Sequence, residues 1–71
     1  MEYVSVSSTD LAAVAYDTSS STLGVRFLKG GEYHYFNVPE HIFEGLKSAS
    51  SVGRYFDQNV KKAGYQYARV G

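Results

Sequence analysis

Two tyrosines two residues apart, Tyr33 and Tyr35, and a set of cations near the C-terminus are the residues here whose types and spacing could do chemistry. Residues i and i+2 of a strand point to one face, so their rings stand about 7 Å apart, a spacing suited to stacking unpaired bases. The 71-residue chain has no net charge, yet residues 1–28 and 29–46 each sum to −2 and residues 47–71 to +4. In that last segment Lys47, Arg54, Lys61, Lys62 and Arg69 face Asp57 alone. Such a cluster is either a solvated face or a footprint for a polyanion. On the second reading Arg26, Arg54, Lys61, Lys62 and Arg69 would hold phosphates while Tyr33 and Tyr35 meet bases.

A second polar feature is the corner from Ser50 to Arg54. A helix starting there presents free N–H groups, Gly53 lets an anion approach the backbone, and Arg54 could close on a phosphate. Ser51, Gly53 and Arg54 are therefore candidate phosphate contacts. The competing reading is a serine cap, which would occupy one of those N–H groups itself.

Other chemistries find little support. The two histidines, His34 and His41, fall on different elements and match no helical H-E-x-x-H, so no metal is expected. There is no Gly-x-Ser-x-Gly elbow and no glycine-rich phosphate loop, and the absence of Cys leaves no thiol chemistry. The chain reads as a non-enzyme without cofactor. It shows no basic-then-apolar leader and no stretch approaching the roughly 18 apolar residues of a membrane span, so it reads as a soluble, cytoplasmic monomer that does not engage a membrane.

The elements that position these residues follow from punctuation and period. Residues 1–71 make one domain, with residues 1–10 a polar lead in which Tyr3 to Val6 could add a short edge strand. Alternation predicts strands at Ala12–Asp17, Leu23–Lys29 and Glu32–Val38, the latter two joined at Gly30-Gly31. Pro39 suits the start of a helix and Glu40 its positive end, which predicts helices over Pro39–Ala49 and Ser51–Ala63, with Gly64 as the stop. Tyr65-Gln66-Tyr67 looks extended. The fold class is α+β: a three-stranded antiparallel meander followed by two helices packed on one face. Val14, Val25, Phe27, Ile42, Phe43, Leu46, Val52, Phe56 and Val60 form the expected core.

The hairpin turn decides which face Tyr33 and Tyr35 share. A two-residue turn at Gly30-Gly31 or Lys29-Gly30 puts them beside Arg26 and Leu28, exposed. A three-residue loop, Leu28-Lys29-Gly30, with a glycine bulge flips the parity: the tyrosines join Leu23 and Val25, and Arg26 stands opposite Glu32. The second register spares Lys29 a positive φ and gains the Arg26–Glu32 pair, while the double glycine keeps the first open.

Three groups of residues carry a family resemblance. They are Tyr16-Asp17; the run Leu23-x-Val25-x-Phe27-x-x-Gly30-x-x-Tyr33-x-Tyr35-x-x-Val38-Pro39; and Ser51-x-Gly53-x-Tyr55-Phe56. From about Ser7 to Val70 the chain resembles the KTSC domain family, which occurs at the C-terminus of some lysyl-tRNA synthetases and as small stand-alone bacterial proteins. Asp57 departs from the pattern, where the family often has Asn. The resemblance implies RNA binding, through the association with a synthetase. Two functions from different classes follow: weak, salt-sensitive binding of single-stranded RNA, or docking of a protein partner on a strand edge or aromatic patch, for which the zero net charge that argues against strong sequence-independent nucleic-acid binding is unremarkable.

Overall fold

The computed structural model describes residues 1–71. Its strands are β1 (Val4–Ser5), β2 (Leu11–Asp17), β3 (Thr22–Phe27), β4 (Glu32–Tyr35) and β5 (Tyr67–Arg69). They form one antiparallel sheet in sequence order. Two helical elements, α1 (Glu40–Ser48) and α2 (Val52–Phe56), lie between β4 and β5, and α2 runs on into one π-helical turn, Asp57–Lys61. The sheet thus has five strands where alternation predicted three. The two additions are edge strands of two and three exposed residues, too short to show a period, and their backbone pairing with β2 and β4 defines them.

The predicted meander is present as β2, β3 and β4. The last arm stops at Tyr35 rather than Val38, because Asn37 takes a φ of 57° that a strand cannot continue through. Pro39 sits at the N-cap of α1 with extended backbone, one position earlier than expected. No helix is long and apolar enough to cross a membrane.

The hairpin takes the three-residue loop. Phe27 N–H donates to the Gly31 carbonyl (3.1 Å) and Gly30 N–H to the Phe27 carbonyl (3.0 Å), enclosing Leu28-Lys29-Gly30. Gly30 and Gly31 absorb the positive φ values, 105° and 96°, that a side chain would resist. Arg26 therefore stands opposite Glu32, Val25 opposite Tyr33 and Leu23 opposite Tyr35. This register turns both tyrosines toward the helices.

The core lies between the sheet and that helical layer. Val14, Leu23, Val25 and Leu46 are fully buried, with Leu11, Val38 and Val60 beside them. Phe27 and Phe43, expected in the core, are only half-buried and pack against it. Phe43 stacks on Tyr16 of β2 at 5.7 Å beneath the Lys47 ammonium, at the margin of the core. On the far face of the sheet the N-terminus crosses Gly24, where a Cβ would run into Tyr3 and Met1. Ala15 is fully buried there in consequence.

Candidate nucleic-acid interface

Beyond α1, which packs on β2, the same face of the sheet carries an open cleft of about 470 Å³. Its sheet wall is Tyr33, Tyr35 and Tyr67, brought into register because β5 pairs antiparallel with β4 and sets Tyr67 opposite Tyr35 and Arg69 opposite Tyr33. Its other wall is Val60 and Lys61 from the π turn and Tyr65 from the segment entering β5. Phe27, Lys29 and Gly30 close the hairpin end, and Asp10 completes the rim.

The rings form a graded surface. Phe56, at the base, meets Phe27 and Tyr35 edge-on, each at 5.6 Å. Tyr35 is 6% exposed, and burial first, then the neighbouring Tyr67 and Tyr33, raises its phenol above the ordinary tyrosine range. Tyr33 is half-buried, with Tyr67 at 6.1 Å. Tyr67 is 62% exposed and lies 5.3 Å from Tyr35 at an interplanar angle of 33°. The ring with a free face is thus Tyr67, while Tyr35 supports it from below.

The candidate cations do not share one surface. Lys61 lines the cleft, held over it because the π turn, closed by Lys62 N–H to the Asp57 carbonyl at 3.0 Å, buries Val60 and turns the next residue outward. Lys62 instead pairs with Asp57 at 3.4 Å. Arg69 lies over the Tyr33 ring at 5.9 Å and donates from Nε to the Gly71 carbonyl. Arg26 is on the opposite face of the sheet, 3.8 Å above the Tyr3 ring and 3.2 Å from Glu32. There the Tyr3 hydroxyl donates to Glu32 (2.8 Å), and burial together with this bond raises the phenol to about 12. The same bond, chiefly, holds the Glu32 carboxyl below its ordinary value.

Ser51, Gly53 and Arg54 come together in a separate polar groove of about 320 Å³, facing Ser7, Ser8 and Asp10. The predicted serine cap is absent: Ser51 occupies the N-cap with extended backbone, but its side chain bonds no helix N–H. Ser8 instead closes the turn that leads into β2, its Oγ accepting from the N–H groups of Asp10 (3.1 Å) and Leu11 (3.2 Å). The Asp10 carboxylate stands 3.7 Å from where a Cβ on Gly53 would be, so an acid as well as Arg54 flanks the corner.

Lys29, Tyr65 and Tyr67 are cleft residues that sequence reasoning did not select. Tyr65-Gln66-Tyr67 repeats the spacing of Tyr33-His34-Tyr35, a signal that was present. Lys29 offered none, since a lysine in a hairpin loop looks like any other loop residue. No group of three or more His, Asp or Glu is placed to hold a metal.

The sequence profile of the KTSC domain matches residues 7–67. The chain belongs to the KTSC domain family. An uncharacterised protein of Stutzerimonas stutzeri is 36% identical to this KTSC domain over 70 residues, 99% of either chain. A lysine–tRNA ligase of Trichormus variabilis is 39% identical over 46 residues, which make up 65% of this chain and 8% of the ligase. The crystal structure of a KTSC domain protein from Yersinia pestis superposes with a TM-score of 0.89 at 33% identity, covering 99% of this chain and 97% of that one.

Proposed function

We propose that this KTSC domain is a non-catalytic module that binds short single-stranded RNA weakly, with the Tyr33–Tyr67 cleft as its base-contacting surface. The observation that carries the reading is the pairing of an exposed ring, Tyr67, with a half-buried one, Tyr33, in a cleft that also has Lys29 and Lys61 on its walls. Aromatic faces accept any base by stacking, and ammonium groups beside them meet the backbone phosphates. The cleft volume falls within the roughly 300–1,000 Å³ of small-ligand sites, enough for a nucleotide or two rather than a duplex. The kinship with part of a lysine–tRNA ligase is consistent with a role near RNA in the cytoplasm.

The reading shifts the weight of the interaction. With Lys62 paired to Asp57 and Arg26 on the other face, the basic segment does not act as one patch, and two lysines around the cleft supply most of the phosphate contact. Affinity should therefore be modest and salt-sensitive, with Lys29→Ala and Lys61→Ala each flattening the salt dependence by about 0.7 in slope for a single strand.

NMR titration with a uridine pentanucleotide at low salt tests the proposal. Shifts should gather on Tyr33, Lys61, Tyr65 and Tyr67, and Tyr67→Ala should weaken binding by about 1–3 kcal/mol with little change in melting temperature, because its ring is mostly in solvent. Shifts confined to the Arg26 face, or none at all, would refute it and leave a protein partner as the occupant to seek.

A further inference from the structure

We propose that Asp10 and Lys29 read the edge of a base held in the aromatic cleft and that the base they select is guanine. This rests on the RNA reading of the same cleft. Asp10 is the one acid on the cleft wall, and Lys29 is one of its two cations. They belong to neighbouring segments locked together, since the Asp10 carbonyl accepts the Leu28 N–H at 2.8 Å. The Asp10 backbone is further fixed by the bond from its own N–H to Ser8 Oγ.

Both side chains are exposed and unengaged. The ion pairs of the protein are Arg26–Glu32, His34–Glu32, Lys47–Glu44 and Lys62–Asp57, so neither Asp10 nor Lys29 is neutralised. Asp10 lines both the cleft and the polar groove; its carboxylate stands beside Gly53 on the groove side, accepts no side-chain or backbone hydrogen bond, and reaches a ligand in the cleft by turning about its two torsions. A fixed backbone carrying a free acceptor and a free donor beside a ring surface is an arrangement that reads the edge of a stacked base.

The edges of the four bases differ in how they meet it. Guanine presents two adjacent donors, N1–H and N2–H, which a carboxylate accepts in bidentate fashion, and next to them the O6 acceptor, which one of the three N–H donors of the Lys29 ammonium satisfies while the others remain for a phosphate. Cytosine and adenine each set a ring-nitrogen acceptor beside their amino group, which the carboxylate repels. Uracil flanks its single N–H with two carbonyls. Only guanine has the order donor, donor, acceptor that Asp10 and Lys29 complement.

The test compares pentanucleotides UUUUU, UUGUU, UUAUU and UUCUU by fluorescence anisotropy at low salt, with single guanines to avoid quadruplexes. UUGUU should bind about tenfold more tightly than UUUUU, within the discrimination a bidentate base contact provides. Asp10→Ala should abolish that preference while leaving UUUUU binding equal or tighter, since a negative charge leaves the cleft. Asp10→Ala keeps the backbone bonds to Ser8 and Leu28, and Lys29→Ala offers a second variant that should reduce the guanine preference without removing Asp10. Equal binding of all four pentanucleotides, or a guanine preference that survives Asp10→Ala, overturns base reading while RNA binding stands. Binding of none of them overturns the RNA reading itself.

Discussion

Replacing Phe56 with Ala tests the architecture at the point where core and cleft meet. The side chain is 2% exposed, and its ring is the shared partner of two edge-on contacts, to Phe27 and Tyr35, each with centroids 5.6 Å apart. Truncating a buried Phe costs about 3–5 kcal/mol through lost transfer energy and the residual cavity. The two ring pairs, worth about 0.5–1.5 kcal/mol each beyond burial, place this site in the upper half of that range. A domain of this size has about 4–11 kcal/mol of total stability, so the substitution removes a third of it or more. At about 4 kcal/mol the melting temperature should fall by roughly 15–30 °C. Thermal unfolding followed by circular dichroism measures this directly, and Phe56→Leu, which restores most of the volume but no ring, should recover the larger part of the loss. A Phe56→Ala protein melting within about 2 °C of the parent would show that α2 does not present this ring to the sheet, and the support beneath Phe27 and Tyr35 would have to be redrawn.

Two further outcomes follow from side chains that occupy fixed positions. At Gly45 a Cβ would overlap the Tyr55 hydroxyl, so Gly45→Ala should destabilise by about 1 kcal/mol despite its better helix propensity; in a Tyr55→Ala background the same change should stabilise by about 1 kcal/mol, a reversal read by a double-mutant cycle in urea. The Tyr3 phenol, raised from 10.0 to about 12 by burial and its bond to Glu32, contributes stability that is complete below pH 10 and lost as pH rises toward 12, because the unfolded chain ionises first. Melting temperatures of the parent should therefore fall more steeply than those of Tyr3→Phe across that window, and parallel curves would show that the hydroxyl contributes nothing there.

The residues that were legible one by one became a site only through pairing. Tyr33 and Tyr35 stood out by spacing, and a choice of turn already decided between an exposed pair and an inward one. What spacing could not show is that the inward pair is itself unequal: α2 reaches Tyr35 through Phe56 and stops short of Tyr33 and β5, so one ring is buried and the other borders a cleft. The cation cluster misled for a related reason. Charge summed over residues 47–71 takes no account of direction, and the fold sends Arg54 to the polar groove, Lys62 to Asp57, Lys47 to Phe43, Arg69 over the Tyr33 ring and Lys61 to the cleft wall.

By itself the sequence determined the class of fold, the meander, the two helices and most of the core. Those features rest on local period, on Pro39, and on glycines that alone tolerate the φ values at Gly30 and Gly31. The family was legible as well, since its motif residues are largely these same positions. Only the tertiary structure decided the two edge strands, the surroundings of each lysine and the placing of Asp10 and Lys29 on one cleft. An edge strand of two or three residues has no period of its own and exists through hydrogen bonds to a neighbour distant in sequence. An exposed charge has no preferred direction until the elements around it are packed, and the cleft is the space those elements leave.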